Sequence, residues 1–368
     1  MDQNDKRIKF VERKFFCFLG FKLYNKTQMF FKAGERMKVG IPRGLLFYRF
    51  YALWKTFLEE LGAEVVISSP TNKGIIQQGL TYAVEEICFP AKVFLGHVLY
   101  LKDRVDLLFI PRVVSFHRKE YNCPKILALP DLARNLFSIP EERIIDDEIN
   151  MREEGIRGWR KGFLNLGKHF TTKESKIMKA LRLAEKAHQD YQANLKKGML
   201  PEDLIDHKIS LSPREKKIVL LGHTYLLSDS YINMNVAKKV NDLSYSVITP
   251  DMVEEEKRRY YLSTIPKPSF WTISNEIIGS ALYHLKERNP EVRGFIHLVS
   301  FECGPDSLVG ELIERLIKRE KESLPYLRLE IDEHTGEAGL VTRLEAFVDM
   351  MEWRYKNLES YVSSFTSS

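Results

Sequence analysis

Three cysteines in the chain share a local pattern. Cys88 stands in "ICFPA", Cys123 in "YNCPK" and Cys303 in "FECGPDSL", each one or two residues before a proline. Proline suits the first turn of a helix, where the amide it lacks would have no intrahelical partner, so the pattern predicts that Cys88 and Cys303 sit at helix N-termini. Such an end offers free N–H donors and partial positive charge, which lower a thiol's pKa and stabilise thiolate or sulfide. The chemistry that follows is ligation. A cubane iron–sulfur cluster needs thiolates gathered into a pocket and no fixed short spacing. On spacing alone the favoured reading of the same residues is small buried core side chains. Only four cysteines occur in 368 residues and none forms a CxxC pair, so neither a disulfide framework nor a standard zinc ribbon fits. The fourth, Cys17, has no comparable context.

Other residues offer acid–base or anion chemistry. "IDEHTGEAG" closes a strand-like run with Asp332, Glu333, His334 and Glu337, a set suited to a hard metal or to proton transfer. Helix capping by Thr335, with early carboxylates favouring the helix dipole, explains it as well. "LLGHTYLLSD" puts Gly222, His223 and Tyr225 just past a strand, where His223 can face a cleft, whereas His97 in "LGHVLYL" reads as a core or helix-surface residue. Arg43 and Gly44 in "IPRG" suit an anion, or a salt bridge and tight turn.

These residues need a frame. "KVGIP" reads as a buried strand, "YRFYALWKTFLEELG" as an amphipathic helix stopped at Gly62 and "AEVVISS" as the next strand. "DLLFIPRVV" and "KILALP" supply further strands, so residues 37–140 form a first α/β lobe with a mainly parallel sheet. Residues 141–210 are rich in charge, lack strand-like runs and read as a helical connector. Alternation resumes over 211–368 with strands at "KKIVLLGH", "YSVITP", "GFIHLVS" and "YLRLEID", and a closing helix. The expected fold class is therefore α/β, with two Rossmann-like lobes joined by helices and the site in the cleft between them. Neither lobe carries G-x-G-x-x-G after its first strand, and no G-x-x-x-x-G-K-[ST] occurs, so no dinucleotide or P-loop site is signalled.

Charge narrows the classes further. Residues 1–36 hold nine Lys and Arg against four Asp and Glu, so most of the formal net charge of +6 resides there. That segment reads as a basic extension outside the fold, upstream of Met37, and the nearly neutral body excludes a broad nucleic-acid surface. No apolar run is long enough to span a bilayer and no secretory leader is evident, so a cytoplasmic protein is expected.

The stretches "VGIPRGLLFYRFYALWKTFLEELG", "EEICFPAKVFLGHV", "NCPK", "GHTYLLSDSYINMNVAKKV", "FECGPDSL" and "IDEHTGEAGLVTRLEAF" resemble the acyl-CoA dehydratase activase-related family. That family is similar to the D-component, or beta subunit, of 2-hydroxyacyl-CoA dehydratases and to benzoyl-CoA reductase subunits. The resemblance runs from about Met37 to about Met351. It implies a [4Fe-4S] cluster on Cys88, Cys123 and Cys303, and an ATP-hydrolysing activase as electron donor. It further implies an acyl-CoA or other small substrate, and association into a homo- or heterodimer. His334, Glu337 and His223 become candidates for proton delivery beside the cluster. The alternative role is a non-catalytic electron-transfer or cluster-holding component of a larger complex. The chain lacks the phosphate-binding glycine loops of the activase itself, so it resembles the electron acceptor.

Overall fold

The computed structural model describes residues 36–207, 211–319 and 324–366, with side chains described as far as 357. Cys17 and the basic extension, up to residue 35, lie outside the described residues. Within them the chain is a mixed α/β structure built on parallel sheets.

The first sheet has the order β2-β1-β3-β5, all parallel: β1 Lys38–Ile41, β2 Glu64–Ile67, β3 Leu107–Phe109 and β5 Ile144–Ile145. Helix α1, Phe47–Leu61, returns from β1 to β2 with Phe47, Phe50, Leu53, Trp54, Phe57 and Leu58 on its buried face. It ends where Gly62 takes φ +100°, as the sequence predicts. Helices α2, Lys73–Tyr82, and α3, Phe89–Lys102, then cross at backbone contact. A Cβ on Gly79 would sit 2.0 Å from the carbonyl oxygen of Lys92, and one on Gly96 would sit 2.0 Å from that of Ile75. This glycine pair fixes α3, and Cys88 is the residue that caps it.

The second sheet has the order β10-β9-β7-β8, again parallel: β7 Lys217–Leu221, β8 Ser246–Ile248, β9 Val292–Ser300 and β10 Tyr326–Ile331. Strand β7 connects forward to β8 on one side, while β9 lies on the other. The order therefore reverses between β7 and β9, and the crevice beyond the carboxyl ends of such a pair is where open α/β sheets bind ligands. The two loops that leave there carry His223 and Cys303. Gly222 makes the turn after β7 with φ +147°, where a Cβ would meet the Leu298 carbonyl oxygen at 2.7 Å.

Between the sheets run α6, Ile156–Lys168, α7, Glu174–Lys196, and α8, Pro201–Asp206. One apolar core continues through both sheets. Ion pairs tie the halves together, foremost Arg49 on α1, which grips both carboxylate oxygens of Glu276 at 2.7 and 2.8 Å from α12, Thr272–Glu287. The segment read as "KILALP" departs from expectation: it forms helices α4, Pro124–Leu127, and α5, Leu129–Phe137. A short apolar run cannot distinguish a buried strand from a buried helix, and here Leu129, Ala133 and Phe137 recur at helical spacing. The stretch from 141 to 150, read as lacking strands, contains β5 and β6, Glu148–Asn150, the latter parallel to β4, Arg112–Ser115. Two or three residues are too few for a periodic signal.

Candidate metal centre

All three cysteines stand directly before helices. Cys88 caps α3 with Pro90 in its first turn, Cys123 caps α4 ahead of Pro124, and Cys303 precedes α13, Gly304–Arg319, with Pro305 second. Cys123 thus shares the placement the sequence predicts for the other two. The three are free thiols that line one cavity of about 320 Å³, together with Tyr121, Trp271, Tyr225, Ile273 and His223.

Main-chain contacts hold the thiol-bearing loops in register. Tyr121 pairs with the start of α12, donating its N–H to Phe270 and accepting from the N–H of Thr272, both at 2.9 Å. Lys125 Nζ donates to the carbonyl oxygens of Glu86 and Glu302, each at 3.0 Å. One ammonium therefore joins the loops of Cys88, Cys123 and Cys303, a role that nothing in "NCPK" announces. Glu302 takes φ +61°, a conformation rare outside glycine, and its Oε2 is buried without a partner.

The electrostatics reverse one expectation. Helix ends lower thiol pKa values, yet burial pushes Cys88 up to about 11, against the pull of the Ala91 N–H and Lys125, with Cys123 adding to the rise. Burial likewise raises Cys123. Cys303 rises further, through burial, the Asp306 carboxylate and the other two thiols. Burial thus outweighs the nearby positive charge at all three sulfurs. A bound cation would add the charge that ionises them.

His223 and Cys303 join a buried acid–base chain. His223 Nδ1 lies 3.2 Å from Asp306 Oδ2, and His297 Nε2 lies 3.0 Å from Asp306 Oδ1. His297 Nδ1 meets the Tyr326 hydroxyl at 3.1 Å. Burial opposes ionisation of Asp306, but the two histidines hold its carboxyl well below the usual range. Donor atoms of His223, Cys303 and Asp306 all lie within 4.8 Å of one another, so this buried group could hold a metal ion. Asp306 and His297 were not singled out in the sequence. The signals available were a carboxylate three residues after Cys303 and a histidine inside an apolar strand.

The remaining candidates lie elsewhere. His334 and Glu337 are exposed and do not line the cavity, and Glu337 pairs with Lys239 at 2.6 Å. Asp332 accepts from the N–H of His334 and the hydroxyl of Thr335, closing a turn before α14, Glu337–Thr366. Glu333 pairs with Lys92 on α3 at 2.6 Å. His97 is fully buried between Ser68 and Thr71. The Arg43 guanidinium binds Asp206 at 2.6 and 2.8 Å, which favours the salt-bridge reading.

Fold and site together define a mixed α/β protein with parallel sheets and a buried His/Cys/Asp group able to bind a metal. The chain belongs to the CoA enzyme activase uncharacterised domain family, which matches residues 38–253. No curated protein sequence matches it. Among solved structures, it is similar to a Salmonella typhimurium LT2 protein described as sugar binding. The two are 12% identical, with 86% of this chain and 88% of that one covered and a TM-score of 0.22, a likeness too low to carry an argument. Among the described residues no helix is long and apolar enough to cross a membrane.

Proposed function

We propose that this chain is an iron–sulfur protein of the 2-hydroxyacyl-CoA dehydratase and reductase type. In this reading Cys88, Cys123 and Cys303 hold a [4Fe-4S] cluster between two α/β lobes, 37–140 and 211–368, and a separate ATP-hydrolysing activase is the electron donor. When bound, such a cluster supplies low-potential one-electron transfer. Membership of a CoA enzyme activase domain family supports a place in such a system.

The observation that carries the reading is three thiols from distant parts of the chain lining one cavity at three helix starts. Their spread favours a cluster over a single ion. Four ligands at the roughly 2.3 Å of a zinc–thiolate bond place sulfurs about 3.8 Å apart. Among the described residues, the three thiols are not a set whose donors all fall within 4.8 Å. This chain's own contributions are the Lys125 staple, the helix N–H groups that favour thiolate, and the aromatic walls of the cavity. Mixing the protein with the activase of the same organism and ATP should reduce the cluster, as seen by EPR, while a non-hydrolysable analogue should not. Full reduction by dithionite, with nothing added by activase and ATP, would defeat the activase-dependent part.

One observation favours the runner-up role of an electron-transfer component. A cavity of about 320 Å³ is small to hold both a cluster and part of an acyl-CoA, since ligand pockets alone run from about 300 to 1,000 Å³.

A further inference from the structure

We propose that the Tyr225 hydroxyl is a built-in hydrogen-bond donor of the cysteine pocket, giving its O–H to a sulfur of the cluster and so raising the cluster's reduction potential. This rests on the iron–sulfur reading above and adds to it a residue that tunes the bound group.

Tyr225 belongs to a short helix, α9, Thr224–Ser228, which starts just after the Gly222 turn at the carboxyl end of β7. Its side chain is 5% exposed and lines the same cavity as the three thiols. The ring stacks on the His223 imidazole at 5.0 Å and 16°, and Asp306 holds that imidazole in turn, 3.2 Å from its Nδ1. The plane of the phenol is thereby fixed. Among the described residues no acceptor meets its hydroxyl, and after burial the influences that most raise its pKa are the thiols of Cys303, Cys88 and Cys123. A phenol with an ordinary pKa near 10 already keeps its proton at neutral pH, so the group enters the pocket as a donor.

The other donors that line the cavity fit less well. Asn122 Nδ2 is taken by the Val113 carbonyl oxygen at 2.7 Å, and Lys125 by the carbonyls of Glu86 and Glu302. Tyr121 and Trp271 are half-buried, open to water as a partner. An added electron increases the negative charge on the sulfurs of a cluster, so a hydrogen bond to one of them stabilises the reduced state more than the oxidised one. The potential rises, and the charge of the cluster is unchanged.

The test uses the whole chain, purified anaerobically with its cluster, beside Tyr225→Phe, which removes the hydroxyl and keeps the ring. In an EPR-monitored redox titration the variant should hold the same iron and sulfide, yet be about tenfold less readily reduced at equilibrium, a fall of about 59 mV for one electron. Proton ENDOR of the reduced cluster should lose one coupling that exchanges in heavy water. Far-UV circular dichroism checks that the variant is folded. Ring-fluorinated tyrosine in the unaltered chain, a stronger donor, should move the potential upward and tests the assignment without a substitution. If either the potential or the exchangeable coupling is unchanged in cluster-loaded Tyr225→Phe, or if the coupling is lost in Tyr121→Phe instead, the assignment falls and the cluster reading stands. A chain that takes up no iron and sulfide overturns the cluster reading, and the assignment with it.

Discussion

Two buried polar regions of this molecule are built on opposite terms. In the network between the sheets the charged side chains pair with opposite charges within the chain. The Arg43 N–H donates to Ser68 Oγ, Ser68 and Thr71 bracket His97, and Thr71 donates to Asp229. Asp229 also accepts the amides of Tyr231 and Ile232 at 3.1 and 3.2 Å, and Arg49 meets Glu276 two bonds to two. In the cysteine pocket burial raises all three thiol pKa values, and Asn122 Oδ1 and Glu302 Oε2 have no partner. Lys125 spends its hydrogen bonds on carbonyls. The first region closes its charges on opposite charges within the chain and serves folding, although Arg43 Nε, Arg49 Nε and Arg258 Nε lack partners, whereas the second gathers neutral thiols around a cavity.

The largest effect that would break this contrast is on stability in the ion-pair network. Glu276→Ala leaves Arg49 and Arg258 buried without their carboxylate and should cost about 3–5 kcal/mol, read from urea denaturation. A cost under about 1 kcal/mol would mean that the network is not what joins the sheets.

Asp229 should show itself through pH. Burial raises its carboxyl to about 6, partly offset by Thr71 and the Ile232 amide. Because the folded pKa lies above the unfolded one, near 3.8, the protonated form favours folding. That stability is complete below about pH 4 and is lost as pH rises through 6, by on the order of 2–3 kcal/mol. Asp229→Asn should flatten this part of the curve of stability against pH, and an unchanged slope would contradict it.

Gly96→Ala comes next, at about 1–3 kcal/mol from overpacking against Ile75. Because α3 would shift with it, iron uptake at Cys88 should fall too. Lys125→Met should have the smallest effect on folding, since its partners are carbonyls near the surface, but it should release iron to a chelator about tenfold faster or more. Retention equal to the parent chain would show that the three loops need no staple.

Much of this contrast was legible beforehand where a local rule sufficed. The strand and helix alternation, the Gly62 stop and the Cys–Pro helix starts follow from periodicity and capping, and the three loops do line one pocket. What was not legible depends on partners far apart in the chain. Asp306 looks like an ordinary first-turn carboxylate until His223 and His297 are seen on either side of it. The acidic turn around His334 offered the right residue types, but its groups close a turn or pair with Lys92 and Lys239. The thiol pKa values followed burial, which outweighs the helix N–H groups and the nearby Lys125 ammonium.

The central claim, that the cysteine pocket is an iron–sulfur site, is tested most directly by iron and acid-labile sulfide analysis of anaerobically purified protein. The comparison is with single serine replacements at Cys88, Cys123 and Cys303. The account predicts about four irons and four sulfides per chain, a cubane EPR signal on reduction, and loss or conversion of the cluster in each variant while urea midpoints stay close to the parent. Iron-free protein, or iron that is indifferent to all three replacements, would contradict it.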